Sequence, residues 1–492
     1  MSNPKAQPCD EGVIRGIRCA GTQSVAAQRW VLTATVLGSS IAFIDASVVN
    51  VALPAMRSNL NASVVAIQWV VNAYTLCLAA LILIGGAAGD HFGRRRLFVA
   101  GIVVFTAASI WCGLAPNIAH LIVARAVQGL GASMLIPNSL AIIGATFDDS
   151  GRGRAIGTWA GFGALAGAAG PLLGGCLVDH TSWRMIFFVN PLIAVPTLWI
   201  ALRRVPESRD PGSAAGLDWV GALLIFLGLG GVVAALIAAP SLGWGNAVVL
   251  GLLGSGALML IAFLWHEHAS DTPMMPLSLF RSRVFSGING LTLLLYAALG
   301  GALFILPFDL IYVHGYSATQ TGGAFLPFAL TVGILSRLFG ALQDKMGARL
   351  PLIVGPAIVG CGYVLLAMQP FGDGFWAGFI GPLVVAGFGM AVSVAPLTTV
   401  VLTAVPKERA GVASGVNNAV AQTANLMAVA IFGAIALGGF RQTLGQTVDA
   451  AVKQILADGI DTALLLAAAL AFTSSLVAFL TLGLAERPAD KR

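Results

Sequence analysis

Fourteen predominantly apolar runs follow one another along the 492 residues, at 30–52, 64–88, 97–115, 118–142, 155–178, 184–202, 217–238, 247–266, 284–308, 320–342, 350–369, 374–402, 410–438 and 461–484. Each is about 20 residues or longer, and a helix rising 1.5 Å per residue needs roughly that length to cross a bilayer. The pattern predicts an all-α integral membrane protein with fourteen transmembrane helices. An even number places both termini on one side. Residues 1–29 are polar and read as a tail, because the run behind them is too long for the core of a signal peptide.

Charge decides which side is which. With the N-terminus taken as inside, 21 of the 27 Lys and Arg residues fall in inside segments. Arg57, Arg184, Arg441 and Lys453 fall outside, and Arg125 and Arg337 lie within runs. This bias predicts cytoplasmic termini, and it accounts for the net charge of +6 without nucleic acid. Arg337 is close enough to an inner end to snorkel and is given no role. A composition 57% hydrophobic and 10% charged excludes a soluble globular domain. The six cysteines form no CxxC pair and His266-Glu267-His268 lacks HExxH spacing, so neither a disulfide framework nor a metal site is expected.

The chain also repeats itself. Val51-Ala52-Leu53-Pro54 returns as Phe304-Ile305-Leu306-Pro307 at an offset of 253. Gly86, Asp90 and Gly93 return as Gly340, Asp344 and Gly347 at 254, and Arg154-Ala155 as Arg409-Ala410 at 255. These matches pair the first six runs with the last six. Two homologous six-helix bundles, 30–202 and 284–485, then flank a linker and inserted hairpin at 203–283, with tails at 1–29 and 486–492. Such a duplication is a transporter architecture.

Two ionisable side chains lie deep. Asp45 is nine residues before Pro54, roughly 14 Å from the outer end of its run, and Arg125 is roughly 10 Å from the outer end of its own. A carboxylate near mid-membrane costs about 2.5–3.5 kcal/mol on insertion scales, so something must offset it. A fixed ion pair between helices is one reading; a carboxyl that gains and loses a proton is the other. The repeat places nothing ionisable at the counterpart positions, near Ala298 and Phe379, so the deep charge is expected in the first half alone. Gly163, Gly167, Gly170 and Gly174 step by 4, 3 and 4 and form one bare helical stripe beside the bend-permitting Pro171. That face is expected to meet a helix of the other half. Asn50, Tyr74, Asn138, Asn289, Tyr296, Asn417, Asn418 and Gln422 are polar or aromatic residues within runs that line a cavity or bond helix to helix. Asp309, behind Pro307, is either a solvated end residue or a carboxyl in the cavity mouth.

Several motifs carry a family resemblance. Gly86-Ala87-Ala88-Gly89-Asp90-His91-Phe92-Gly93-Arg94-Arg95-Arg96 resembles the signature loop of the major facilitator superfamily. Arg125-Ala126-Val127-Gln128-Gly129 resembles its RxxQG motif, and Gly167-Ala168-Ala169-Gly170-Pro171-Leu172-Leu173-Gly174-Gly175 its antiporter motif. The opening Asp45 to Pro54, with Trp183-Arg184 and the stretch Arg409 to Asn418, is similar to the fourteen-helix drug:proton antiporter branch. Val189-Asn190-Pro191 and Gln422-Thr423-Ala424-Asn425 depart from that branch's usual pattern. The resemblance implies a major facilitator fold in a bacterial inner membrane and proton-driven export of amphipathic small molecules by a monomer. It implies proton coupling at Asp45 and Arg125, and a gating loop of Gly86, Asp90, Gly93 and Arg94. No enzyme activity and no cofactor beyond the proton gradient are implied, and no GxxxxGK[ST] phosphate loop is present. Rival readings are an importer or a lipid or metabolite exporter on the same fold, and a membrane sensor that transports nothing.

Overall fold

The structure is a computed structural model and describes residues 25–147, 149–209, 217–270, 273–368, 376–405, 409–438 and 450–482. The described residues hold fourteen helices long and apolar enough to cross a membrane, and the chain is a multi-pass membrane protein. The first bundle comprises α1 (Val25–Asn59), α2 (Val64–Phe92), α3 (Arg94–Leu114), α4 (Ile118–Thr146), α5 (Asp149–His180) and α6 (Met185–Arg204). The inserted hairpin is α7 (Trp219–Leu242) and α8 (Ala247–Ala269). The second bundle comprises α9 (Arg283–Phe308), α10 (Ala318–Ala324), α11 (Leu326–Met346), α12 (Arg349–Ala367), α13 (Gly381–Thr403), α14 (Ala410–Gly438) and α15 (Ala450–Thr481).

Local chemistry sets the helix ends. Ser63, Asn117, Asp218 and Ser282 each accept a bond from an N–H of the first turn behind them. Gly93 turns the chain between α2 and α3 at φ +115°, which a side chain resists. Several boundaries differ from the apolar pattern. Helix α1 begins within the expected tail and runs through Pro54, because a proline that ends an apolar run does not end a helix whose neighbours hold it. The tenth run is broken at Phe325 into α10 and α11. Helix α15 begins at Ala450, so half of the expected 439–460 loop is helical. Residues 1–24, 210–216, 439–449 and 483–492 lie outside the described residues.

The two ends of the bundle differ. At the Asn59 end the halves close on each other: Asp179 of α5 accepts from the backbone N–H of Ala318 and Thr319, at 3.1 and 2.7 Å. The Tyr312 hydroxyl donates to the Pro54 carbonyl, and the Arg57 guanidinium lies over the Tyr312 ring. At the Arg94 end of α5, a Cβ at Gly157 or Gly161 would meet nothing within 4 Å. Helix α2 lies along α14 of the second bundle, and α7 packs on both. The hairpin therefore covers one seam between the halves.

Candidate functional site

Asp45 and Arg125 meet. Both are buried, at 0% and 1% exposure, and Arg125 Nη1 donates to Asp45 Oδ2. A lone carboxylate at this depth would be prohibitive, and the surroundings show what offsets it. Gln128 Nε2 donates to Asp45 Oδ1 at 2.8 Å, and Asn190 Nδ2 donates to the same oxygen at 3.0 Å. The carboxylate is thus held from α4 and α6 while it is carried by α1. Arg125 is satisfied in turn: Nε donates to the Val70 carbonyl, Nη1 also reaches Gln128 Oε1, and the guanidinium lies 4.3 Å from the Tyr74 ring centroid. Asn190 further donates to Ser109 Oγ, which donates to the Phe187 carbonyl, so α3 joins the network.

Gln128, Asn190 and Ser109 are members of this site that the sequence reading did not assign. Gln128 stands three residues after Arg125, hence on the same helical face, and that spacing was a usable signal. Asn190 stood out only as a polar residue before Pro191, and Ser109 carried no signal.

The loop between α2 and α3 is organised by acids. Asp90 pairs with Arg94 at 2.7 Å, and Arg94 Nη1 reaches the Ala141 carbonyl at the end of α4. Glu207, beyond α6, accepts from the Arg95 backbone and lies within 4 Å of the Arg95 and Arg96 guanidinium groups. Gly86 sits on α2 opposite Pro137 of α4.

The glycine stripe of α5 faces a different neighbour from the one expected. A Cβ at Gly163 would lie 2.7 Å from Phe43, one at Gly170 would overlap Ser47 Oγ, and one at Gly174 would lie 2.7 Å from Val48. All three neighbours are on α1, in the same half, while Gly167 has open space. On α5 the other half is met at Pro171, Leu172 and Gly175, beside the Asp179 bonds. A side chain at Gly175 would overlap the Ala318 carbonyl, and one at Gly322 would overlap the Pro171 carbonyl. A period-matched stripe identifies a close-packed face without saying which helix fills it.

The candidate cavity residues divide. Asn138 is buried and donates to the Gly85 and Met134 carbonyls, bonding α4 to α2. Asn417 donates to Asn289 and Thr292, bonding α14 to α9. Tyr74 is buried against Arg125. Asn50, Tyr296, Asn418 and Gln422 are half-buried. Asp309 is buried, in a π-helical turn that continues α9, with His314 Nδ1 3.5 Å from its carboxylate. The second half therefore also buries a charge, at its Asn59 end. Burial pushes the His314 imidazole down, but the Asp309 hydrogen bond and charge outweigh it, and the ring is held above its ordinary value. The Arg337 side chain lies outside the described residues.

Comparison with known proteins follows the same lines. The model of the Major Facilitator Superfamily matches residues 35–429. The chain is 36% identical over 422 residues to the multidrug resistance protein Stp of Mycobacterium tuberculosis, covering 86% of this chain and 78% of that protein. It is 34% identical to the methylenomycin A resistance protein of Bacillus subtilis, covering 82% and 87%. It is also 34% identical to the puromycin resistance protein pur8 of Streptomyces alboniger, covering 83% and 82%. Among solved structures, an inward-facing bacterial homologue of the human lysosomal transporter Spinster superposes with a TM-score of 0.66 at 17% identity, covering 93% of this chain and 98% of that one.

Proposed function

The chain belongs to the major facilitator superfamily, and from that premise we propose that it exports amphipathic organic compounds across a bacterial inner membrane in exchange for protons. The observation that carries the coupling is the Asp45 carboxylate, buried at mid-membrane and hydrogen-bonded from α4 and α6. The relatives named for drug and antibiotic resistance support the class of compound.

Ionised Asp45 is served by three donors. Protonation turns one of its oxygens into a donor, which then needs an acceptor. Asn190 Oδ1 is buried without a hydrogen-bond partner, and a half-turn of that amide presents it to the carboxyl. The Ser109 hydroxyl can rotate to follow. The network therefore accommodates both protonation states with two side-chain turns, and it links α1, α3, α4 and α6 to whichever state is present. Arg125 remains charged throughout and sets the balance; it does not exchange its proton.

The arginines gathered at the Arg94 end support a cytoplasmic assignment of that face, so the closed Asn59 end is the outer one. In a cysteine-free background, Ser208→Cys is expected to react with an impermeant thiol reagent only from the cytoplasmic side, and Ser241→Cys only from outside. Reaction of both from one side would overturn the assignment. For the export itself, inside-out vesicles with an acid lumen are expected to accumulate a compound such as puromycin, and an uncoupler to stop them. Accumulation only in right-side-out vesicles would make the protein an importer, and accumulation indifferent to the uncoupler would remove the proton.

A further inference from the structure

Helix α2 has two faces with different polar chemistry. Val70 and Tyr74 face the Asp45 network. On the opposite side, by the 100° step of the helix, stand Gln68 and Asn72, one turn apart. Gln68 is 2% exposed and Asn72 is not exposed at all. Gln68 Nε2 and both polar atoms of Asn72 have no hydrogen-bond partner. The Gln68 amide lies against Gly433 of α14, where any Cβ would overlap it, and Phe304 of α9 lies 3.1 Å from that same Cβ position. On the adjoining face, Trp69 and Leu76 pack among Leu229 and Val233 of α7 and Leu426 and Ala430 of α14. The Gln68 amide is thus enclosed between the two halves, beside the hairpin cluster, and Asn72 is buried one turn further along the same helix.

Nothing in this arrangement rewards them. A buried amide without a partner forfeits its hydrogen bonds to water, and folded proteins carry few such groups. Leucine, of similar size, would suit this environment better. Their chemistry makes sense only in a state in which α14 has parted from α2, and that seam lies between the two halves.

We propose that Gln68 and Asn72 form a hydrogen-bonding subsite for uncharged carbonyl, hydroxyl and amide groups of the transported compound, shut in this state and exposed when the seam opens. The subsite rests on the export reading above. It carries no charge, so it discriminates by hydrogen bonding and leaves a cationic group to be recognised elsewhere.

The test compares full-length wild type with Gln68→Leu and Asn72→Leu, using two probes. Puromycin carries hydroxyl and amide groups, and tetraphenylphosphonium carries no hydrogen-bonding group. Both variants are expected to melt at or above the wild-type temperature, because an orphan amide is replaced by a fitting apolar group. Puromycin transport is expected to fall about tenfold, the equivalent of one lost hydrogen bond, while tetraphenylphosphonium transport stays within about twofold. A lower melting temperature in both variants would show the amides to be structural and overturn the subsite. So would an equal fall for both probes, which would make the pair a determinant of the balance between states, and so would no change for either. Wild-type protein that moves neither probe removes the export reading and the subsite together, whereas loss of the selectivity in the variants removes the subsite alone.

Discussion

Asp45→Asn is expected to abolish proton-driven export while leaving compound binding within about threefold of wild type, a difference near RT. The substitution keeps the shape of the side chain and one acceptor oxygen, so Gln128 and Asn190 still find a partner on α1. On the proposed mechanism, what it removes is the site of proton exchange. The measurement is proton release from purified protein in detergent when compound is added, across a range of pH. Wild type is expected to release protons and the variant none; equal release at every pH would exclude Asp45 as the coupling group. A purely structural ion pair predicts a different failure. Removing the carboxylate then strands Arg125 in the interior, at a cost of about 3–5 kcal/mol, and the variant would lose its fold before transport could be assayed. Asp45→Glu, which keeps the charge and lengthens the arm, is expected to retain partial export.

A second large effect is expected at the Asn59-end closure, the outer one on the proposed orientation. Gly175→Leu and Gly322→Leu place bulk where one helix backbone lies directly on another across the two halves, so the outer face cannot shut. Export should be lost with the protein still folded and held open to the outside. Thr321, buried on α10, reports this. In a cysteine-free background, Thr321→Cys should react with an external thiol reagent at least about tenfold faster when combined with Gly175→Leu, as expected for a population shift of 1.4 kcal/mol or more. Gly174→Leu serves as the contrast, since its Cβ points at Val48 within the same half. Overpacking there costs about 1–3 kcal/mol of stability and should leave Thr321→Cys as slow as before. Slow labelling in both Gly175→Leu and Gly322→Leu would mean that this contact does not govern the outer face.

The deep charges were legible because the bilayer makes them conspicuous: an acid and an arginine in apolar runs, at depths that helical rise alone could match. Fourteen helices were legible because a spanning helix must stay apolar for about 20 residues. Partners were much less so. Gln128, Asn190 and Ser109 are neutral, and a neutral polar residue in a membrane helix is too common to single out. The stripe of α5 was visible as a stripe, but period says which residues share a face and nothing about what lies across from it. Asp309 could not be placed from an uncertain helix end, and it proved to be buried beside His314. Glu207, which gathers the Arg95 and Arg96 side chains, sits in a short polar segment where sequence offers no period at all.

The contact of Asp179 with α10 bears on the cost of running the machine. Asp179 is exposed, while of its two backbone partners Ala318 is buried and Thr319 half-buried. Hydrogen bonds to a charged group are worth about 1.5–3 kcal/mol each, toward the low end where water can replace a partner. One elementary charge moving through 100 mV of membrane potential delivers about 2.3 kcal/mol, which is comparable with a single Asp179 bond. On the proposed coupling, one proton supplies work on the scale of a single bond of this closure, so part of the gradient's work goes to opening the door before any is left for the cargo.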